Sequence, residues 1–147
     1  MGKDRRAALR GLLGRKEEGK VGYYHRWEDF PERGIYYLPG MEIKVRIMSS
    51  ERMMLTDIKA KKGVHIDMHR HEAEQIILLS KGLMRVRTAR EPPKVLNPGD
   101  IWVVPANCPH GVDYIEDTEA LEIVSPPRLD NFVGYTVSHT FFEEKGE

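Results

Sequence analysis

The sequence has a single cysteine, Cys108, among its 147 residues, which excludes an internal disulfide framework. It also lacks an excess of charge, because 23 Lys and Arg residues balance 23 Asp and Glu residues. We therefore expect no general electrostatic attraction to nucleic acid or to an anionic membrane. No apolar run approaches the length that crosses a bilayer, and no segment resembles a signal peptide, so we expect a cytoplasmic protein.

What the sequence does have is a hydrophobic content of 40%, enough to build a core in one domain of this length. Residues 1–20 differ from the rest, since basic residues surround a short apolar helical face that three glycines interrupt. We interpret them as a basic N-terminal arm, and a short helix packed on a neighbouring subunit is the alternative. Residues 21–147 contain no repeat and no low-complexity linker, and we predict that they form a single domain.

Short strand-like segments dominate the chain after this arm. The segment MEIKVRIM at 41–48 alternates apolar and charged residues, the period-two pattern of a half-buried strand. Similar runs occupy 34–38, 52–60, 75–80, 83–89, 101–105, 110–115, 119–125 and 132–141. Most of the breaks between them contain glycine or proline. Many short strands at this spacing predict an all-β sandwich or barrel.

Four potential metal ligands lie in two segments of this pattern: His69, His71, Gln75 and His110. Residues i and i+2 of a strand project from the same face, so His69 and His71 could chelate one ion. Gln75 keeps the same parity unless a bend near Ala73 resets the face. Imidazole nitrogens and amide oxygens are suitable ligands for first-row divalent metals, so the two segments together predict a metal site.

Three further histidines are predicted not to bind this metal: His25, His65 and His139. The first and the last lie far from the two segments in sequence. His65 shares the parity of His69 but precedes it by four residues, in a segment that we predict to be a turn.

Two other groups of residues have more than one interpretation. Cys108 lies two residues before His110, and we interpret it as a small buried side chain, with a soft metal ligand or an oxidation-sensitive thiol as alternatives. Arg85 and Arg87 alternate with apolar residues, which indicates a basic strand face exposed to solvent. An anion-binding wall is the alternative for that face.

The two ligand-bearing segments together resemble the cupin family. Its first motif, G-x5-H-x-H-x3-E-x6-G, is matched by Gly63, His69, His71 and Gly82, with Gln75 at the glutamate position. Its second, G-x5-P-x-G-x2-H-x3-N, is matched by Gly99, Pro105 and His110, with Asn107 for the glycine and Tyr114 for the asparagine. The resemblance implies a double-stranded β-helix, or cupin jelly-roll barrel, in residues 21–147. It also implies one divalent first-row transition metal ion (Zn, Ni, Fe, Mn or Co) held by the three histidines and residue 75.

Within the cupins, residues 27–130 are similar to the KdgF-type pectin-degradation proteins, in which glutamine is the usual fourth ligand. Those enzymes convert 4,5-unsaturated monouronates to linear ketonised sugars, so the resemblance implies a carboxylate-bearing small-molecule substrate. The acidic and arginine positions of the subgroup correspond to Glu122 and Arg128, for which we expect catalytic roles. Val124 stands at the position of the subgroup's aromatic residue.

Three classes of function remain open at this point. The first is the sugar-acid enzyme, in which the metal has no redox role. The second is an iron- or manganese-dependent dioxygenase or decarboxylase acting on a small acid, and the third is a non-catalytic cupin that binds a small molecule. The family resemblance and the need to cover exposed strand edges also lead us to expect a homodimer.

Overall fold

The computed structural model describes residues 23–35 and 42–128. These residues form a short 3₁₀ turn, Trp27–Asp29, and ten strands. The strands are β1 (Arg33–Gly34), β2 (Ile43–Ser49), β3 (Met54–Ala60), β4 (His65–His69), β5 (Glu74–Lys81), β6 (Met84–Thr88), β7 (Lys94–Leu96), β8 (Ile101–Val104), β9 (His110–Tyr114) and β10 (Thr118–Ser125). In this part of the chain, no helix is long and apolar enough to cross a membrane.

The strands pair antiparallel in two sheets. One sheet has six strands in the order β1-β2-β3-β10-β5-β8, and the other has four in the order β4-β9-β6-β7. Strands distant in sequence are neighbours in both sheets, as expected for a jelly roll rather than for a series of simple hairpins. The predicted all-β jelly-roll barrel is confirmed.

Alternation along the strands builds the core between the two sheets. In β2 every second residue from Ile43 to Ser49 is buried, and the residues between them point outward. The core combines buried side chains from both sheets: Ile43, Val45, Ile47, Met54, Ile58, Ala60, Ala73, Ile77, Leu79, Met84, Val86, Leu96, Trp102, Val104, Val112, Tyr114, Ala120 and Val124. The segments that carry His69, His71, Gln75 and His110 therefore meet inside a single apolar core.

Seven of the predicted strand-like runs are confirmed, as β2, β3, β5, β6, β8, β9 and β10. The run at 34–38 lies only partly within the described residues, and the predictions for 132–141 and for the arm at 1–20 lie outside them. β7 was not predicted, and β4 was predicted only near His69, because its first residues were assigned to a turn. β7 is only three residues long and follows Pro92-Pro93, so it has no periodic pattern to detect.

The first residues of β4 correct one prediction. His65 does not lie in a turn but begins β4, where it pairs with Asp113 of β9. Ile66 pairs with Val112, whereas His69 pairs with His110, so β4 contains one residue more than β9 over this interval. Such a β-bulge reverses the side-chain alternation. His65 consequently lies on the exposed outer face, whereas His69 is buried inside the barrel.

Candidate metal centre

Three histidine rings meet inside the barrel. His69 is the last residue of β4 and His110 the first of β9, and their cross-strand pairing places the ring centroids 4.3 Å apart. His71 follows β4 in the chain, and its ring centroid lies 4.8 Å from that of His110 and 5.7 Å from that of His69. One ligand atom from each ring lies within 4.8 Å of the others, so the three histidines could hold one metal ion.

Backbone carbonyls orient all three rings in the same way. The Nδ1 atoms of His69, His71 and His110 each lie 2.8 Å from a carbonyl oxygen two residues away, those of Asp67, Ala73 and Cys108 respectively. A carbonyl can only accept, so each Nδ1 carries the proton. In a neutral ring Nε2 is then the acceptor atom. This arrangement is the usual way in which a protein fixes the tautomer of a metal-binding histidine.

Burial keeps the rings of His71 and His110 neutral. It lowers the pKa of His71 to about 4, with further lowering by the positive charge of Arg128. Burial also lowers the pKa of His110 to about 3, with the neighbouring His69 as the next largest cause. Only a neutral imidazole has a lone pair for a metal, so the rings are ready to coordinate at neutral pH.

Gln75 completes the donor set. It is buried on β5, and its Oε1 lies 3.1 Å from Nε2 of His71, so two acceptor atoms face each other. The buried Nε2 of His110 also has no hydrogen-bond partner among the described residues. Reversing the Gln75 amide would satisfy His71 but would leave His110 as it is. A cation between these atoms would satisfy both, and so the donor set fits a divalent metal.

A turn before β9 joins the two halves of this centre. The backbone N–H of Asn107 donates to the carbonyl of His71 across 2.8 Å. Asn107 has a φ of 59°, in the left-handed region, where asparagine is among the few residues other than glycine that are readily accepted. The replacement of the motif glycine by Asn107 therefore preserves the backbone shape that connects His71 to the turn.

The candidate catalytic residues line the same cavity as the ligands. This cavity has a volume of about 50 Å³, and His69, Gln75, His110, Glu122 and Arg128 are among its walls. Glu122 is half-buried on β10, between the inward-facing Ala120 and Val124. Arg128 lies close enough for its charge to lower the pKa of both His71 and His110. The structure thus brings together all six site residues that the sequence singled out.

The remaining candidates lie elsewhere. His65 faces outward, and the ring of His25 lies against Phe30, 5.7 Å between centroids. Cys108 is half-buried, its sulfur lies 3.7 Å from the carbonyl oxygen of Pro109, and it does not belong to the three-histidine cluster. His139 lies outside the described residues.

Sequence reasoning missed one polar residue of the cavity, Thr56. It is 3% exposed, and its hydroxyl has no hydrogen-bond partner in the described ranges. Thr56 lies directly opposite Glu122 in the pairing of β3 with β10. The sequence did contain a signal for this residue. Thr56 is polar, but it occupies an inward-facing position of β3 between the apolar residues Met54 and Ile58.

Comparison with known proteins agrees with this geometry. The family model for the cupin domain matches residues 57–126. This segment is a cupin domain. This segment includes the three histidines, Gln75 and Glu122. A search of curated protein sequences finds no significant match.

Solved structures similar to this cupin domain have varied activities. An RmlC-like cupin from Shewanella frigidimarina is 25% identical, with a TM-score of 0.67, over 76% of this chain and 96% of that one. KdgF from Halomonas sp. is 26% identical, with a TM-score of 0.62, over 70% of this chain and 94% of that one. An oxalate decarboxylase from Bacillus subtilis shares the fold. It is 20% identical, with a TM-score of 0.62, over 75% of this chain and 31% of that one. The predicted resemblance to KdgF within the cupins is confirmed.

Proposed function

We propose that this cupin domain is a metal-dependent enzyme acting on sugar acids, which converts 4,5-unsaturated monouronates to linear ketonised sugars. The observation that carries the proposal is that Glu122 and Arg128 line one cavity together with the buried ligand atoms. A carboxyl group, a guanidinium group and a cation-binding centre thus surround a single space. The similarity to KdgF supports the choice of substrate class.

The proposed ligands are His69, His71, His110 and Gln75. When bound, a divalent ion would supply Lewis acidity toward an oxygen of the sugar. All four ligands are neutral, so they leave the charge of the ion uncompensated. Together with the positive charge of Arg128, this makes the cavity favourable for an anionic substrate.

Glu122 and Arg128 have separate roles in this proposal. The guanidinium of Arg128 binds the substrate carboxylate through paired N–H donors, which fixes the orientation of the sugar. The carboxyl group of Glu122 transfers a proton to or from the substrate at the end of the cavity lined by Thr56. Val124 is fully buried beside Gln75, so this position supplies no aromatic surface for the sugar ring.

The direct test is an ultraviolet assay of the metal-loaded protein with unsaturated galacturonate. Loss of the conjugated absorbance is expected with the wild-type protein. Glu122→Gln should abolish it while the metal content is unchanged, because the amide cannot exchange the proton. Absorbance that persists with every unsaturated uronate and every first-row divalent metal would refute the proposal.

A second candidate, a decarboxylase or dioxygenase acting on a small acid, is favoured by the size of the cavity. With a volume of about 50 Å³ the cavity is small, and a compact acid would fill it with less rearrangement of the walls than a sugar ring. Carbon dioxide release or oxygen consumption with dicarboxylates, dependent on iron or manganese, would support this candidate. Binding of an acid without turnover in either assay would instead indicate a non-catalytic binding cupin.

The expected homodimer also remains a proposal. β8 is an edge strand of the six-stranded sheet, and its Ile101 and Val103 are 62% and 51% exposed. An exposed apolar edge strand of this kind favours pairing with a second copy. Light scattering should show a dimer for the wild-type protein and a monomer for the Ile101→Lys/Val103→Lys variant, and a monomeric wild type would contradict the proposal.

A further inference from the structure

A network of polar residues crosses the outer face of the four-stranded sheet, behind the candidate metal centre. Arg87 on β6 donates from Nη2 to the carbonyl oxygen of Ile66 on β4, across 2.9 Å. Its Nε lies 3.5 Å from a carboxylate oxygen of Asp113 on β9. The side chain of Arg87 is 13% exposed, so the prediction of a solvent-exposed basic strand face is wrong for this residue. Arg87 connects three strands.

Gly111 makes this crossing possible. It lies between β6 and β4 on the outer face and pairs directly with Arg87. A Cβ atom at this position would lie 2.8 Å from Nη2 of Arg87 and 2.9 Å from the carbonyl oxygen of Ile66. Both distances are shorter than van der Waals contact, so only glycine leaves room for the guanidinium at this point. The chain neighbour of Gly111 is His110, one of the proposed metal ligands.

The network ends at the bulge that turns His69 into the barrel. Ile66 is the last regularly paired residue before the bulge. Asp113 also hydrogen-bonds to Nδ1 of His65, and Nε2 of His65 lies 2.8 Å from the carboxylate of Asp67. The backbone carbonyl of Asp67 is in turn the acceptor for Nδ1 of His69. Contacts therefore lead without interruption from Arg87 to the atom that sets the orientation of a metal ligand.

We propose that Arg87 is a positioning residue for the metal centre, which acts by holding the bulge between Ile66 and His69 in place from outside the barrel. This inference rests on the metal site of the proposed function but not on its reaction. The hydrogen bond to Ile66 fixes the strand where the regular pairing ends. The ion pair with Asp113 fixes the same strand through His65.

Charge and geometry predict opposite effects of removing Arg87. Loss of a positive charge near the centre would by itself tighten the binding of a divalent cation. Loss of the support for His69 would weaken it, and the removal of groups that orient metal ligands typically costs about ten- to a hundredfold in affinity. The sign of the change therefore separates a positioning role from a general electrostatic one.

The experiment measures the Co²⁺ dissociation constant and the visible absorption spectrum of Co²⁺-loaded full-length variants. Arg87→Met is expected to bind about tenfold or more weakly and to show a changed spectrum, because His69 is no longer held in one orientation. Arg85→Met is the matched control. Arg85 lies two residues earlier on the same face of β6 and is exposed, and its side chain makes no hydrogen bond within the described ranges. This control should keep or slightly tighten the wild-type affinity and keep its spectrum.

Arg87→Lys retains the charge but cannot reach Ile66 and Asp113 with a planar fork, so its affinity should fall between those of Arg87→Met and the wild type. If Arg87→Met does not fold, Arg87→Lys decides the question by the same two measurements. If Arg87→Met folds and keeps the wild-type Co²⁺ affinity and spectrum, the inference is overturned. An equal loss of affinity in Arg85→Met would also overturn it.

The outcome does not depend on the reaction. A weaker Co²⁺ affinity in Arg87→Met supports the inference even if no uronate is turned over, in which case only the proposed reaction fails. A wild-type protein that binds no Co²⁺ overturns both this inference and the proposed metal site.

Discussion

At the scale of single residues, the most informative contact is between Gln75 and His71. Their facing acceptor atoms, 3.1 Å apart, are difficult to explain without a cation or a reversed amide. Strand parity first indicated Gln75, and its spacing from His69 and His71 in the cupin motif supported it. The structure adds that the Gln75 side chain is buried beside these histidines, where its uncharged oxygen could serve as a ligand.

Replacement of Gln75 by alanine should weaken metal binding about tenfold, or by about 1.4 kcal/mol, because one oxygen ligand is lost. Glu74→Ala is the control, since Glu74 is exposed and its side chain points away from the centre. Isothermal titration with Zn²⁺ or Co²⁺ measures both. Loss of metal binding in Glu74→Ala alone would overturn the ligand assignment.

The substitution Thr56→Val is expected to preserve or raise stability but to lower catalytic efficiency. Thr56→Val removes a buried hydroxyl that has no partner among the described residues, so the free energy of unfolding should stay the same or rise. If that hydroxyl binds substrate, kcat/KM should fall about tenfold, which corresponds to one hydrogen bond, while metal affinity is unchanged. Denaturant unfolding and steady-state kinetics on the same variant provide the two readouts. A less stable variant with unchanged kinetics would show that the hydroxyl has only a structural role.

At the scale of secondary-structure elements, the β-bulge in β4 explains what the sequence could not predict. Strand parity places His65 and His69 on the same face, but the extra residue places them on opposite faces. His65 was correctly left out of the ligand set for an incorrect reason, a turn that does not exist. A bulge depends on pairing with a partner strand that lies more than 40 residues away, so the local pattern does not contain it. The contacts of Arg87 could not be predicted for the same reason, because they are made with β4 and β9 and the alternation within β6 carries no information about those strands.

The turns after β3 and β5 offer a matched pair of glycines for a stability test. Gly63 and Gly82 have nearly the same positive φ, 89° and 88°. A Cβ atom at Gly63 would meet nothing within 4 Å, whereas one at Gly82 would lie 2.3 Å from the carbonyl oxygen of Asp117. Gly63→Ala should therefore cost about 1–2 kcal/mol for the backbone alone. Gly82→Ala should cost about 1–3 kcal/mol more for the clash. Urea unfolding measures the difference, and equal costs would show that the clash relaxes freely.

At the scale of the whole molecule, the architecture was accessible from sequence because alternation and turn signals recur along the chain. Seven predicted strands are confirmed, the strand pattern indicated a sandwich or barrel, and the cupin resemblance implied the jelly roll. The motif spacing also brought together Gln75 and His110, 35 residues apart. The sequence could not reveal the assembly of the cavity from β2, β3, β4, β5, β9 and β10, because sheet order is a long-range property. Thr56 was missed for that reason.

The buried histidines should make the metal-free protein sensitive to acid. In the unfolded chain they titrate near 6.5, whereas burial lowers the pKa of His71 to about 4 and that of His110 to about 3. The unfolded state therefore binds more protons below about pH 6.5, so the free energy of unfolding falls from there toward pH 4.

His65 acts in the opposite direction, because its hydrogen bond to Asp113 raises its pKa, and it favours the folded state as the pH falls. Denaturant titrations between about pH 7.5 and 5 should show the net loss of stability, and His65→Gln should make it steeper. Stability that is independent of pH over this range, both in the wild type and in His65→Gln, would contradict the account.

The central claim is that the three histidines and Gln75 hold one divalent metal ion inside the barrel. Its most direct test is the metal content of the purified full-length protein, measured by mass spectrometry after dialysis, beside that of a His110→Gln variant. We expect one first-row transition metal ion per chain in the wild-type protein and a large loss in the variant. A wild-type protein that retains no such ion after incubation with Zn²⁺, Ni²⁺, Mn²⁺, Co²⁺ and Fe²⁺, or a variant that retains a full complement, would contradict the claim.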